Sequence, residues 1–276
     1  MMYIDTKKLL LKTQKQVYSQ RLGNHISKFY GEGFEFGELR EYMYGDDIRK
    51  IDWHTTAKMG KPFVKIYHEE RELNVVVATM MGGSSYFGTI RQKSEVMREV
   101  VAIIGMSALS QNDIFSHFLF ADKLIKWNKP SKKLFSLFDT LEQMEHFEIL
   151  GTKSNYQEMT QTLWTHLNKK SLLYIISDGI GEIDLGKLSK KHDVVLIIVR
   201  DRFEENPQEL GLLRLVDMEN SQSFFVNADH DAISNYRKSL INNDAKLTTH
   251  CKKYGIPMFK IFTHEDVYLK LLKSIR

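Results

Sequence analysis

The chain of 276 residues contains a single cysteine, Cys251. That excludes an intramolecular disulfide framework and a multi-cysteine zinc site, and it fits a reducing cytosol. Four prolines and sixteen glycines are too few for a fibrous or linker-rich chain. Long apolar runs are also missing. Val100–Leu109 and Val194–Val199 fall well short of the roughly 20 residues that a membrane-spanning helix needs. The sequence does not open on an apolar h-region with a small-residue cleavage site, so no signal peptide is expected. No repeat or low-complexity tract occurs. What is present is 42% apolar and 27% charged residues, the balance of a soluble globular protein and too apolar for disorder. The net charge of +4 is unevenly placed. Lys7, Lys8, Lys12, Lys15, Arg21 and Lys28 face Asp5 alone in the first 28 residues, a local +5, so the rest sums to −1.

Asp5 to about Gln20 reads as a helix. Asp5 and Thr6 are good cap types, and Leu9, Leu10, Leu11 and Val17 make an imperfect apolar stripe. A basic amphipathic helix can lie on nucleic acid or a membrane. Docking on its own domain, with the lysines in water, is the commoner outcome and the expectation here. Residues 29–71 are irregular and rich in glycine, aromatics and charge. From residue 72 strands and helices alternate. Strands are expected over 73–80, 113–120, 124–127, 172–176, 194–199 and 257–262. Helices are expected over 93–110, 131–147, 156–167, 183–190, 232–254 and 265–274, and a hairpin over 213–217 and 223–226 near the sheet edge. This pattern predicts an α/β fold, a Rossmann-like, doubly wound, mostly parallel sheet over 72–276, preceded by the helix and irregular segment of 1–71. Sites in such sheets gather at the carboxyl ends of strands, here 80–85, 177–182 and 201–205.

The densest constellation runs from Gly31 to Trp53. Gly45 permits a tight turn, after which Asp46 or Asp47 is placed to cap a short helix towards Trp53. Arg49 and Asp52 follow at spacings that put an acid–base–acid ladder on one face, with Arg40 free to bridge to a carboxylate. These acids suit either metal or acid/base chemistry or a structural ion-pair web. The plentiful pairing partners favour the web.

The run of Gly31-Glu-Gly-Phe-Glu35-Phe, Leu39-Arg40-Glu41-Tyr42, Gly45-Asp46-Asp47-Ile-Arg49-Lys-Ile-Asp52-Trp53, Thr56-Ala57-Lys58 and Glu69-Glu70-Arg71 resembles the signature of a bacterial family, domain of unknown function number fifty-eight. The resemblance extends more weakly from about Gly23 to about Asp178. Members of that family resemble von Willebrand factor A domains and are typically encoded beside MoxR-type AAA+ ATPases. The resemblance therefore implies a von Willebrand factor A-like fold and such an ATPase, with client proteins, as partner. It also implies that Glu35, Arg40, Tyr42, Gly45, Asp46, Asp47, Arg49, Asp52 and Trp53 form a signature or contact surface.

Domains of this type often end their first strand with Asp-x-Ser-x-Ser, which holds Mg²⁺. Counting back from Phe87-Gly88, the aspartate falls on Met80, the first serine on Gly82 and the second on Ser84, and Asp178 matches a later Ser-Asp. A thioether is a poor ligand for a hard cation. Ser84 and Asp178 alone support weak Mg²⁺ binding at most, so a vestigial, metal-free site and no cofactor are expected. A Gly82-Gly83-Ser84-Ser85 turn could offer backbone N–H groups to an anion. Cys251 beside His250 is a weak nucleophile candidate. The leading expectation is a non-enzymatic protein-interaction module in the cytoplasm. A metal-dependent hydrolase or phosphoryl-transfer enzyme built on Asp46, Asp47, Asp52 and Asp178 is one alternative. Nucleic-acid binding through the basic first helix is another.

Overall fold

The computed structural model describes residues 5–20, 39–48, 51–65, 72–220 and 222–274. Helix α1 (Thr6–Gln20) begins where Asp5 offers its carbonyl to the Leu9 N–H at 2.9 Å and its carboxylate to the Lys7 N–H at 3.2 Å. Thr6, Leu9, Thr13 and Val17 are buried, and their spacing of three to four puts them on one face. That face docks on the main domain. Lys12 pairs with Glu99 at 2.6 Å, and Lys7, Lys8 and Lys15 stay exposed. The helix is thus docked on its own domain, as expected.

The signature segment holds strands β1 (Leu39–Glu41) and β2 (Phe63–Lys65), paired antiparallel, with helix α2 (Trp53–Met59) between them. These strands were not expected. The short helix expected from Asp46 or Asp47 towards Trp53 runs through residues 49–50, which lie outside the described residues, and α2 begins only at Trp53 with a cap of its own. Asp52 caps α2, accepting the N–H groups of His54 at 3.0 Å and Thr55 at 3.2 Å. Gly60, at φ +68°, closes it by donating its N–H to the Thr56 carbonyl.

The main domain continues as β3 (Asn74–Met80), α3 (Lys93–Ser110), β4 (Ile114–Phe120), β5 (Leu124–Ser131), α4 (Leu134–His146), α5 (Tyr156–His166) and β6 (Leu172–Ser177). Then come α6 (Gly186–Ser189), β7 (Asp193–Arg200), α7 (Arg202–Glu205), β8 (Gly211–Val216), β9 (Ser223–Ala228), α8 (His230–Lys253), β10 (Met258–Phe262) and α9 (Val267–Ser274). Six strands form one sheet in the order β5-β4-β3-β6-β7-β10, parallel except for β5. Counted along the chain, that order is 3-2-1-4-5-6, which reverses direction between β3 and β6. The fold is therefore the doubly wound α/β class.

Side-chain alternation sorts the core into two layers. Val75 and Val77 of β3 join α1, α3, α4 and α9 on one face, while Val76, Ala78 and Met80 join α5, α6 and α8 on the other. Helix α3 is buried along nearly its whole length because α1, α4 and α9 cover it. One expectation is met and one is corrected. The expected hairpin is present as β8–β9 and forms a two-stranded sheet of its own. The helix over 183–190 shrinks to Gly186–Ser189, because Asp184 and His250 instead take up the N–H groups of Gly186 and Leu185.

His117 lies in the core beside the Thr79 hydroxyl, 3.0 Å away, and burial pushes its imidazole down to about 3. The unfolded imidazole takes a proton near pH 6.5, whereas the folded one stays neutral until about 3. Its stabilising contribution is complete above pH 6.5 and is lost as pH falls from there. Urea unfolding should therefore show stability declining below pH 6.5, and His117→Gln should lessen that slope above pH 5 by up to about 1.4 kcal/mol per pH unit, leaving the part due to His192, whose imidazole is also pushed down by burial.

Candidate functional site

At the switch point the chain connections leave the carboxyl ends of β3 and β6 towards opposite sides of the sheet order, and the loops that follow the two strands meet there. Asp178 follows β6 directly and is buried. Its Oδ2 accepts the Ser84 hydroxyl at 2.5 Å and lies 3.5 Å from the Lys93 ammonium. Its Oδ1 accepts the Tyr156 hydroxyl and the Ile180 N–H, each at 3.2 Å. Burial opposes its charge. The Lys93 charge, the Ser84 and Ile180 hydrogen bonds and the Arg200 charge outweigh that and hold the carboxyl below its ordinary range. Burial and the neighbouring Asp178 charge push the Tyr156 phenol well up, so it remains a donor.

Lys93 itself has no exposed side-chain surface. Its ammonium contacts Glu204 Oε1 at 2.6 Å as well as Asp178. The other Glu204 oxygen accepts the Asp201 N–H at 2.8 Å, and the Asp201 carboxylate accepts the Phe203 N–H at 2.8 Å, a reciprocal cap on α7. Asp201 also accepts the Thr89 N–H at 2.9 Å and the Thr263 hydroxyl at 2.5 Å. Buried Arg200 donates to the Asp178 carbonyl at 2.9 Å and contacts Asp244 of α8 at 3.2 Å. The loops after β3, β6, β7 and β10 are thereby tied into one charged network.

The expected vestigial positions fall here, and the structure supplies reasons for them. Met80 is buried in the second core layer. Gly82 is crowded for a serine, since a Cβ would lie 2.3 Å from Ser154 Oγ, which would have to rotate away, and 3.0 Å from the Ser154 backbone nitrogen. At Gly83 a Cβ would lie 2.2 Å from the Met218 carbonyl, because the turn joining β8 to β9 rests on this loop. The same carbonyl accepts the Gly151 N–H at 2.8 Å. The anion-cradle expectation is not met at two of its N–H groups. Gly83 donates to the Thr152 carbonyl at 2.7 Å and Ser85 to the Gly82 carbonyl at 2.8 Å.

These residues do not fit a hard divalent cation. One carboxylate and one hydroxyl converge, the hydroxyl proton points at the carboxylate, and an ammonium already faces the same oxygen. Among the described residues no group of three or more acids, histidines or cysteines is placed to hold a metal ion. Asp46, Asp47, Asp52 and Asp178 therefore do not assemble into such a centre. Arg40 bridges to Asp46 at 2.6 Å, as its freedom to pair suggested, and Asp46 also accepts the Met43 N–H at 2.8 Å. Tyr42 lies between β1 and that turn, Gly45 takes the positive φ of +105° that a tight turn uses, and Trp53 is exposed at the start of α2. Glu35 and Arg49 lie outside the described residues. Cys251 is buried, and burial pushes its thiol up to about 11, which disfavours the nucleophilic thiolate.

Lys93, Glu204 and Arg200 were missed from sequence. Lys93 carried a readable signal, because it lies three residues before Val96 and seven before Val100 on the buried face of α3. Asp201-Arg-Phe-Glu204 carried another, the acid-x-x-glutamate spacing of a helix cap.

The strand order, the covered faces and a site at the switch point define a doubly wound α/β protein. Within that class the chain belongs to the family described as "Protein of unknown function DUF58", whose model matches residues 38–246. The match runs well beyond the Asp178 limit suggested by the motifs. Uncharacterized protein Rv1480 of Mycobacterium tuberculosis and uncharacterized protein Mb1516 of Mycobacterium bovis are each 24% identical over 289 aligned positions, covering 99% of this chain and 90% of theirs. Among solved structures, the conserved hypothetical protein BatB of Bacteroides thetaiotaomicron aligns with 74% of this chain and 97% of its own, at 10% identity and a TM-score of 0.45. An aerotolerance-related membrane protein of Bacteroides fragilis aligns with 74% and 96%, at 12% identity and a TM-score of 0.45. Among the described residues of this chain, no helix is long and apolar enough to cross a membrane.

Gly83→Ala should cost about 1–3 kcal/mol in urea unfolding and speed proteolytic cleavage within 217–222, because backbone must move to admit the methyl group. Unchanged stability and cleavage would show that the turn does not rest on Gly83.

Proposed function

We propose that the chain is a non-enzymatic, cytoplasmic protein-interaction module whose loop face and hairpin bind a partner without a bridging metal. The observation that carries this reading is the apolar surface of the β8–β9 hairpin. Leu212 and Phe225 are 71% and 72% exposed on its outer side, and Val216 is also exposed there. Its inner side, through Leu213 and Val226, walls a cleft of about 390 Å³ against Phe87, Phe203, Ile233 and Tyr236. On that side these three apolar residues alternate with exposed Arg214, Ser223 and Asn227, and a mixed apolar and polar face beside an apolar cleft suits a protein contact surface. The resemblance of the Gly31–Arg71 signature to proteins encoded beside MoxR-type AAA+ ATPases supports such an ATPase as the partner, within a chaperone-like maturation system. The signature segment, with exposed Tyr44, Ile48 and Trp53, is a second part of that surface. The charged network behind the face supports the absence of catalysis, since its carboxylates are occupied by one another's partners.

The test is affinity capture from native cell extract, with and without ATP and EDTA, using the wild type and Phe225→Asp. An AAA+ subunit should be recovered with the wild type, EDTA should not reduce it, and Phe225→Asp should lower recovery at least tenfold with an unchanged melting temperature. Absence of an AAA+ protein, or its loss in EDTA, would contradict the proposal.

A further inference from the structure

We infer that the Lys93 ammonium holds the place beside Asp178 that a divalent cation would otherwise take, so that an internal charge organises the loop face. This deepens the metal-independent part of the reading above. The ammonium is fully buried, 3.5 Å from Asp178 Oδ2 and 2.6 Å from Glu204 Oε1. The Ser84 hydroxyl donates to the same Asp178 oxygen. The two oxygen-bearing side chains of the vestigial pattern thus converge where Lys93 supplies the positive charge. A divalent ion bound at about 2.1–2.5 Å from Oδ2 would confront the ammonium directly, and like charges in a buried pocket repel strongly. The positions that depart from Asp-x-Ser-x-Ser fit the same account. Met80 belongs to the apolar core, and Gly82 leaves room for Ser154. Lys93 also sits in the first turn of α3, where a cation opposes the helix dipole. The two carboxylates offset that cost, so the lysine is there for its charge.

The test is thermal unfolding of the full chain in millimolar MgCl2 or in EDTA, with no partner present, so that its failure is separate from failure of partner capture. The wild-type midpoint should be the same in both within about 1 °C. Lys93→Ala should melt roughly 10 °C lower in EDTA and recover several degrees in MgCl2. Lys93→Ala combined with Asp178→Asn should lose that recovery. A wild-type midpoint raised by MgCl2, or a Lys93→Ala midpoint indifferent to it, would overturn the inference. Should Lys93→Ala fail to fold in both conditions, Lys93→Met and Asp178→Asn with their double variant decide it. A double variant more stable than Lys93→Met supports the coupling, and losses that simply add overturn it.

Discussion

The rest of the switch-point architecture depends on one buried cation between two carboxylates. Lys93 opens α3, Asp178 ends β6 and Glu204 closes the cap of α7. An ammonium without exposed surface is expensive to bury, by several kcal/mol, unless its partners are close and themselves hydrogen-bonded. Both conditions hold. Glu204 also takes the Asp201 N–H, and Asp178 also takes Ser84, Tyr156 and Ile180. Such a network gives little net stability over apolar packing, but removal of one member leaves an uncompensated charge. Its contribution is placement. It fixes the ends of three elements relative to one another, and Arg200 extends the web through Asp244 to Lys260 and Glu205.

That placement has consequences at the surface. The loop after β3 is held from below by the Ser84–Asp178 bond and pressed from above by the Met218 backbone, with Gly83 between them. The turn between β8 and β9 therefore sits at a defined height, and the hairpin stands away from α7 and α8 to leave its apolar cleft. A two-stranded sheet has little stability of its own, so its position is set by these few anchors. The electrostatic network and the proposed contact surface are in this way parts of one mechanical unit.

How much was legible in the sequence follows from which forces dominate locally. The unbroken β-branched runs at 74–80 and 193–200 and the helical apolar spacing of 93–110 carry strong local signals, and their element types follow from them. The strands β1 and β2 are three residues each, too short for any periodicity, and so were invisible. Asp52 was read only as a member of an ion-pair ladder, because the apolar pattern gave no sign that a second helix starts at Trp53; its capping role follows from where α2 begins. Asp178 and Ser84 were found through the family motif. Lys93 and Glu204 are 111 residues apart and meet only through the crossover topology, which no spacing rule encodes. The departure at Met80 was visible, but the buried Lys93 ammonium beside Asp178 was not.

The most direct test of the central claim is a crystal structure of the wild type soaked in MnCl2, with an anomalous difference map at the switch point. The account predicts the Lys93 ammonium in density between Asp178 and Glu204, and no manganese peak within coordination distance of Asp178. A manganese ion bound to Ser84 and Asp178, with the lysine turned away, would contradict it.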